Sequence, residues 1–140
     1  FTTATGSISQ SFRVPASSTQ LEVCWEFLSE EFLEYIGSQF QDRFSIVIMD
    51  EEGNQDILLS KTIDQMAQDF GASSSIAGSL TSVSPAIVFD RGGVYTTNWQ
   101  ASTFDISQYQ GKIVTLTIAV GDVGDSIYDT AILLDCISLN

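Results

Sequence analysis

The densest concentration of groups able to do chemistry is the run Gly121-Asp122-Val123-Gly124-Asp125-Ser126-Ile127-Tyr128-Asp129. It places three carboxylates in one short stretch between two apolar segments. Calcium takes six to eight oxygen ligands from carboxylates, backbone carbonyls and water, and a glycine-containing acidic loop supplies several of them. Without a cation, three close carboxylates repel and raise one another's pKa. The spacing is not that of an EF-hand, which needs alternating ligands, a central glycine and a terminal glutamate. Asp122, Asp125 and Asp129 are therefore the first candidate calcium ligands.

A second acidic cluster, Ser29-Glu30-Glu31-Phe32-Leu33-Glu34-Tyr35, follows the apolar run Leu21–Leu28. If the two segments meet at one edge, Glu30 or Glu31 completes the site. Asp42, just ahead of Phe44–Met49, is a further candidate ligand. The competing reading is that all of these are solvated loop charges.

Aromatic rings are the other candidate functional groups. Tyr35, Tyr95, Trp99, Tyr109 and Tyr128 fall in or beside expected loops. Exposed rings stack on the apolar faces of sugars, which makes Tyr35, Tyr95 and Tyr128 candidate ligand-binding residues. The alternative for each is plugging an end of the fold, since aromatics are mostly buried. Trp99 is expected in the core, and Tyr95 is expected to be the most exposed.

The elements that must position these groups read as strands. Leu21, Val23, Trp25 and Phe27 alternate with Glu22, Cys24, Glu26 and Leu28. Phe44, Ile46 and Ile48 alternate with Ser45, Val47 and Met49, and Val114, Leu116, Ile118 and Val120 with Thr115, Thr117 and Ala119. A period of two is the mark of a half-buried strand. Shorter strands are expected over Gly6–Val14, Ala86–Phe89 and Ala131–Leu139. Turn signals at Pro15–Ser18, Glu51–Asn54, Arg91–Gly93 and Gln110–Gly111 separate them. A helical turn is expected over Asp64–Phe70, and Gly71–Val83 reads as a long loop. The fold class is all-β: an antiparallel β-sandwich of jelly-roll type with one long, partly helical loop, forming a single domain over 1–140.

Composition narrows the function. The chain has 140 residues, 18 acidic and 5 basic, with no histidine and a net charge of -13. That balance argues against nucleic acid, whose binders carry basic patches, and against anionic membrane surfaces. No stretch reaches the roughly 20 apolar residues of a membrane span. No signal segment opens the chain. Phe1 is not a start methionine, so the chain is expected to be a piece excised from a longer polypeptide, with neighbouring domains as partners. The lack of histidine removes the usual general base. Lys61 has no surrounding Ser-Lys motif. Glu31 and Asp129 could serve as a glycosidase pair, but calcium clustering explains them without a cleft. The chain is expected not to be an enzyme.

The two cysteines, Cys24 and Cys136, lie towards opposite ends, as expected if first and last strands pair. A bridge between them closes a very long loop, worth roughly 4–5 kcal/mol in the chain-entropy model. The alternative is two buried free thiols.

Three segments carry a resemblance: Trp25-Glu26-Phe27-Leu28-Ser29-Glu30-Glu31-Phe32-Leu33-Glu34-Tyr35-Ile36-Gly37-Ser38, Asp122 through Asp135, and Thr103 through Lys112. The first two are similar to a jelly-roll-like module of large bacterial surface and secreted proteins, including adhesins. The third resembles a linker of carbohydrate-binding-module-like jelly rolls. Together they cover well under half of the chain. The resemblance implies an extracellular β-sandwich, secreted or on the bacterial cell surface, with structural calcium. The implied partner is a glycan or a host or cell-surface protein. In such modules the positions of Cys136 and Gln41 are more often asparagine, so a disulfide at Cys136 would be peculiar to this chain, and a metal role for Gln41 is weakened. The alternatives are a calcium-stiffened spacer or assembly domain without a small ligand and, behind it, an acidic-residue glycoside hydrolase.

Overall fold

The computed structural model describes residues 2–33, 35–83, 93–123 and 130–140. Two antiparallel sheets face each other, as the two-residue period requires. One has the order β1 (Thr2–Arg13), β8 (Ile113–Val123), β3 (Arg43–Asp50), β4 (Gln55–Thr62). The other is built around β2 (Gln20–Ser29). On one edge β2 pairs with β9 (Thr130–Leu139) from Leu21 to Ser29. On its other edge it pairs with β7 (Gln100–Asp105) and then with the short β6 (Tyr95–Thr96), which carries β5 (Thr81–Ser82) outside it. Consecutive strands β1, β2 and β3, and again β7, β8 and β9, alternate between sheets. That alternation is the jelly-roll habit. The strand expected over Ala86–Phe89 lies outside the described residues.

The inward positions are those the alternation singled out. Leu21, Val23, Trp25 and Phe27 on β2 meet Phe44, Ile46 and Ile48 on β3 and Val114, Leu116 and Ile118 on β8, all buried. Ring centroids lie 4.7 Å apart for Trp25–Phe44 and 5.6 Å for both Phe27–Phe44 and Phe27–Phe32. The Trp25 indole N–H, which burial would otherwise leave unsatisfied, donates to Ser102 Oγ at 3.0 Å.

Trp99 departs from expectation: it is 51% exposed and not part of the core. The preceding turn explains this. Thr97 N–H donates to the Phe27 carbonyl and Phe27 N–H to Thr97 Oγ1, both at 3.0 Å. Asn98 then takes a left-handed φ of 57°. The chain is pinned to β2 just before Trp99 and turned outward at it.

Between β4 and β5 the chain forms α1 (Ile63–Asp69), one residue earlier than its periodicity suggested. Thr62 and Gln65 make a capping box at its start, and Ile63, Met66 and Ala67 are buried. No helix among the described residues is long and apolar enough to cross a membrane.

Cys24 and Cys136 form a disulfide with Cα atoms 5.4 Å apart and a sequence separation of 112. The free-thiol alternative is excluded. The bridge does not join first and last strands, as expected; β1 pairs with β8, and the bridge ties β9 to β2. Val23 and Trp25 face the core, so Cys24 between them faces outward. Cys136, with a φ of 41°, sits where the β2–β9 register shifts.

Candidate functional site

One end of the sandwich gathers acidic groups from both sheets. β2 ends at Ser29 opposite Thr130, the first residue of β9. Glu30 and Glu31 follow, 2% and 1% exposed. In the other sheet Arg43 pairs with Gly121. One step beyond that pair lie Asp42, 1% exposed, and Asp122, half-buried.

Hydroxyl groups stitch this end into a ring. Glu31 N–H donates to Ser29 Oγ at 2.9 Å. Ser29 Oγ and Thr130 Oγ1 are 2.8 Å apart. Thr130 Oγ1 donates to Asp42 Oδ2, so the Ser29 hydroxyl must be the donor to Thr130. Asp42 N–H closes the ring onto Glu31 Oε2 at 3.2 Å. The ring joins the ends of β2 and β9 to the start of β3, and so locks one sheet to the other. Ser29 and Thr130 are the functional-site residues that sequence reasoning missed.

The structure thus links Glu31 directly to Asp42, and places Glu30 next to Glu31 in sequence and Asp122 next to Asp42 in register. Asp125, Asp129 and Tyr128 lie outside the described residues, in the segment that leads directly into Thr130. Tyr95 is opposite Ser29 on β6 and is half-buried, not the most exposed ring. Tyr35 is half-buried, edge-on to Phe40 at 5.9 Å. Its N–H donates to the Glu31 carbonyl at 3.0 Å, which holds it beside the acidic end. Gln41 serves as a clip. Its Nε2 donates to the Ser38 and Tyr35 carbonyls, and its Oε1 accepts from Asp64 N–H at 2.9 Å, tying this loop to α1.

Oxygen-rich carboxylates fit a hard cation such as calcium. Among the described residues the one group of three potential ligand atoms within 4.8 Å of one another is Glu22, Cys24 and Cys136, and sulfurs bonded to each other carry no thiolate charge and hold no metal.

The opposite end is chemically different. Asp50, at the end of β3, accepts from Glu52 N–H, Asn54 N–H, Asn54 Nδ2 and Lys112 Nζ. The Asn54 side chain, more than any other neighbour, holds its carboxyl below the usual range. Asp56, on β4, accepts at Oδ2 from Gln108 Nε2 and from the Tyr109 hydroxyl, the latter at 2.7 Å. Tyr109, in a 3-10 turn over Ser107–Tyr109, is buried. Burial first, then the bond to Asp56 and the charges of Asp56 and Asp50, push its phenol up to about 12. These groups surround a polar cleft of about 240 Å3.

The chain matches no protein-family model and no curated protein.

Proposed function

We propose that this chain is an extracellular, calcium-binding β-sandwich module, of the kind found on bacterial surfaces, that serves adhesion or ligand binding and not catalysis. The observation that carries the reading is the acidic end. Three buried carboxylates from two segments, Glu30 and Glu31 after β2 and Asp42 before β3, stand at one end of the sandwich, with Asp122 next to Asp42 in register and Asp125 and Asp129 in the adjoining stretch. Taking carboxylates out of water costs several kcal/mol each. A divalent cation offsets that cost and uses these same oxygens as ligands. When bound, calcium supplies charge compensation and cross-links segments that the Ser29–Thr130 ring already holds in register. The disulfide supports an oxidising compartment.

The test is calcium titration by calorimetry with melting curves in calcium and in EDTA. At 100 times Kd, binding adds ~2.7 kcal/mol. For a chain of this length that raises Tm by roughly 9 °C. Asp42→Asn, Asp125→Ala and Asp129→Ala should each weaken affinity and the Tm gain together. Identical melting curves in calcium and EDTA would sink the reading.

A spacer stiffened by calcium is the second reading, favoured by the disulfide and the hydroxyl ring, both of which make the domain rigid. A glycan array separates the two: uniformly blank results from a folded, calcium-loaded sample favour the spacer.

A further inference from the structure

The polar cleft between the β3–β4 turn and the 3-10 turn lies at the far end of the sandwich from the acidic ring. At about 240 Å3 it is smaller than the roughly 300–1,000 Å3 of sites for drug-sized ligands, which leaves room for a single ring. We propose that this cleft binds one neutral pyranose residue of a glycan. The inference rests on the binding-module reading but not on the calcium site.

The walls are polar and held in place. Asn54 is anchored by its Nδ2 on Asp50 at 2.8 Å, which leaves its Oδ1 to accept. Gln108 is anchored by Nε2 on Asp56, which leaves its Oε1. Asp56 takes both of its bonds on Oδ2, so Oδ1 keeps its lone pairs. Lys112 gives one bond to Asp50 and retains two further donors. The exposed side-chain amide of Gln55 has no hydrogen-bond partner among the described residues. Asn54, Asp56, Gln108 and Lys112 are thus each fixed at one end and available at the other, which lowers the entropy lost on binding.

The balance of these groups selects the ligand. Acceptors and donors both line the cleft, and hydroxyls donate as well as accept. Two carboxylates and one ammonium, Lys112, which pairs with Asp50, line the cleft, so the wall is net negative. A uronic acid, a sialic acid or a phosphate is repelled, while a neutral ring with several hydroxyls satisfies both sides. Buried Tyr109 offers its hydroxyl to Asp56 and no ring face, so recognition runs through hydroxyls and not through stacking.

The test is titration of the 15N-labelled chain with the methyl glycosides of glucose, mannose, galactose and N-acetylglucosamine. Methyl glucuronoside is the charged control, and each titration is run in calcium and in EDTA. The expected result is saturable shifts at residues 54–56 and 108–112 with at least one neutral glycoside. Asp56→Asn keeps an acceptor for the Tyr109 hydroxyl but loses the charge, and should weaken binding about tenfold, the loss expected for one hydrogen bond to a charged group. Gln55→Ala, an exposed change that leaves the core intact, should weaken it a few-fold. Shifts confined to other residues, an equal response to the glucuronoside, or no saturable shift with any neutral glycoside overturns the proposal. Calcium-dependent melting is read on the same samples, so a blank here leaves the calcium reading standing, and the two failures are distinguishable.

Discussion

Replacing Thr130 with valine keeps shape and β-propensity but deletes one oxygen from the acidic end. That oxygen does two jobs: it donates to Asp42 and accepts from Ser29. A hydrogen bond to a charged group contributes ~1.5–3 kcal/mol and a neutral one ~1 kcal/mol. Thr130 is only half-buried, so the lower part of these ranges applies and Thr130→Val should cost about 2–3 kcal/mol. For a chain of this length that lowers Tm by roughly 7–10 °C. Guanidinium unfolding of the parent, Ser29→Ala, Thr130→Val and the double variant completes a cycle. Because the two hydroxyls are links of one ring, the cycle should show a coupling of about 0.5 kcal/mol or more. On the proposed calcium reading, calorimetry should show calcium affinity falling in Thr130→Val, since Asp42 loses the group that orients it. Additive single effects, or a loss below about 1 kcal/mol, would refute the claim that the ring acts as a unit.

Other consequences follow from the disulfide and from the opposite end. Removing the bridge with Cys24→Ala and Cys136→Ala releases a loop whose ends are 112 positions apart, worth about 5 kcal/mol in the chain-entropy model. Because the bridge lies outside the core, no cavity term adds to this; equal denaturation midpoints for the bridged and unbridged chains would contradict it. Tyr109 has a folded-state pKa raised from 10.0 to about 12. Its contribution is fully present below the unfolded value and is lost as pH rises through about 12. Tyr109→Phe should therefore flatten the alkaline fall in unfolding midpoint, and identical slopes with and without the phenol would show that the raised value is not coupled to folding.

The strands with clean alternation, β2, β3 and β8, were legible because each has one face on the core. β4 was not. Leu58 is an extra residue in its pairing with β3, where the register shifts between Ile46 and Val47, and such a bulge breaks the period of two. β7 was partly hidden because Gln100–Asp105 is mostly polar and lies at a sheet edge. Trp99 misled through its size: Thr97 pins the chain to β2 just ahead of it, and the left-handed turn at Asn98 carries it outward. At the acidic end the carboxylates were legible as clusters, but the hydroxyls that organise them were not. Ser29 and Thr130 stand 101 positions apart, and neither belongs to a local motif. The second cleft was hidden by its ordinary turn, Glu51–Asn54. Only the folded chain brings Asp56 to Tyr109, 53 positions on.

The disulfide also sets how far this domain can lengthen under tension. A pull applied at the two ends of the 140-residue chain can draw out only what lies before Cys24 and after Cys136. The span between them is withheld whether or not its strands are still paired. At about 3.5 Å per residue that is roughly 400 Å of contour length kept out of reach. In a surface protein bearing load, the domain would act as a stop of nearly fixed length. Reduction of one exposed bond would turn it into a long tether.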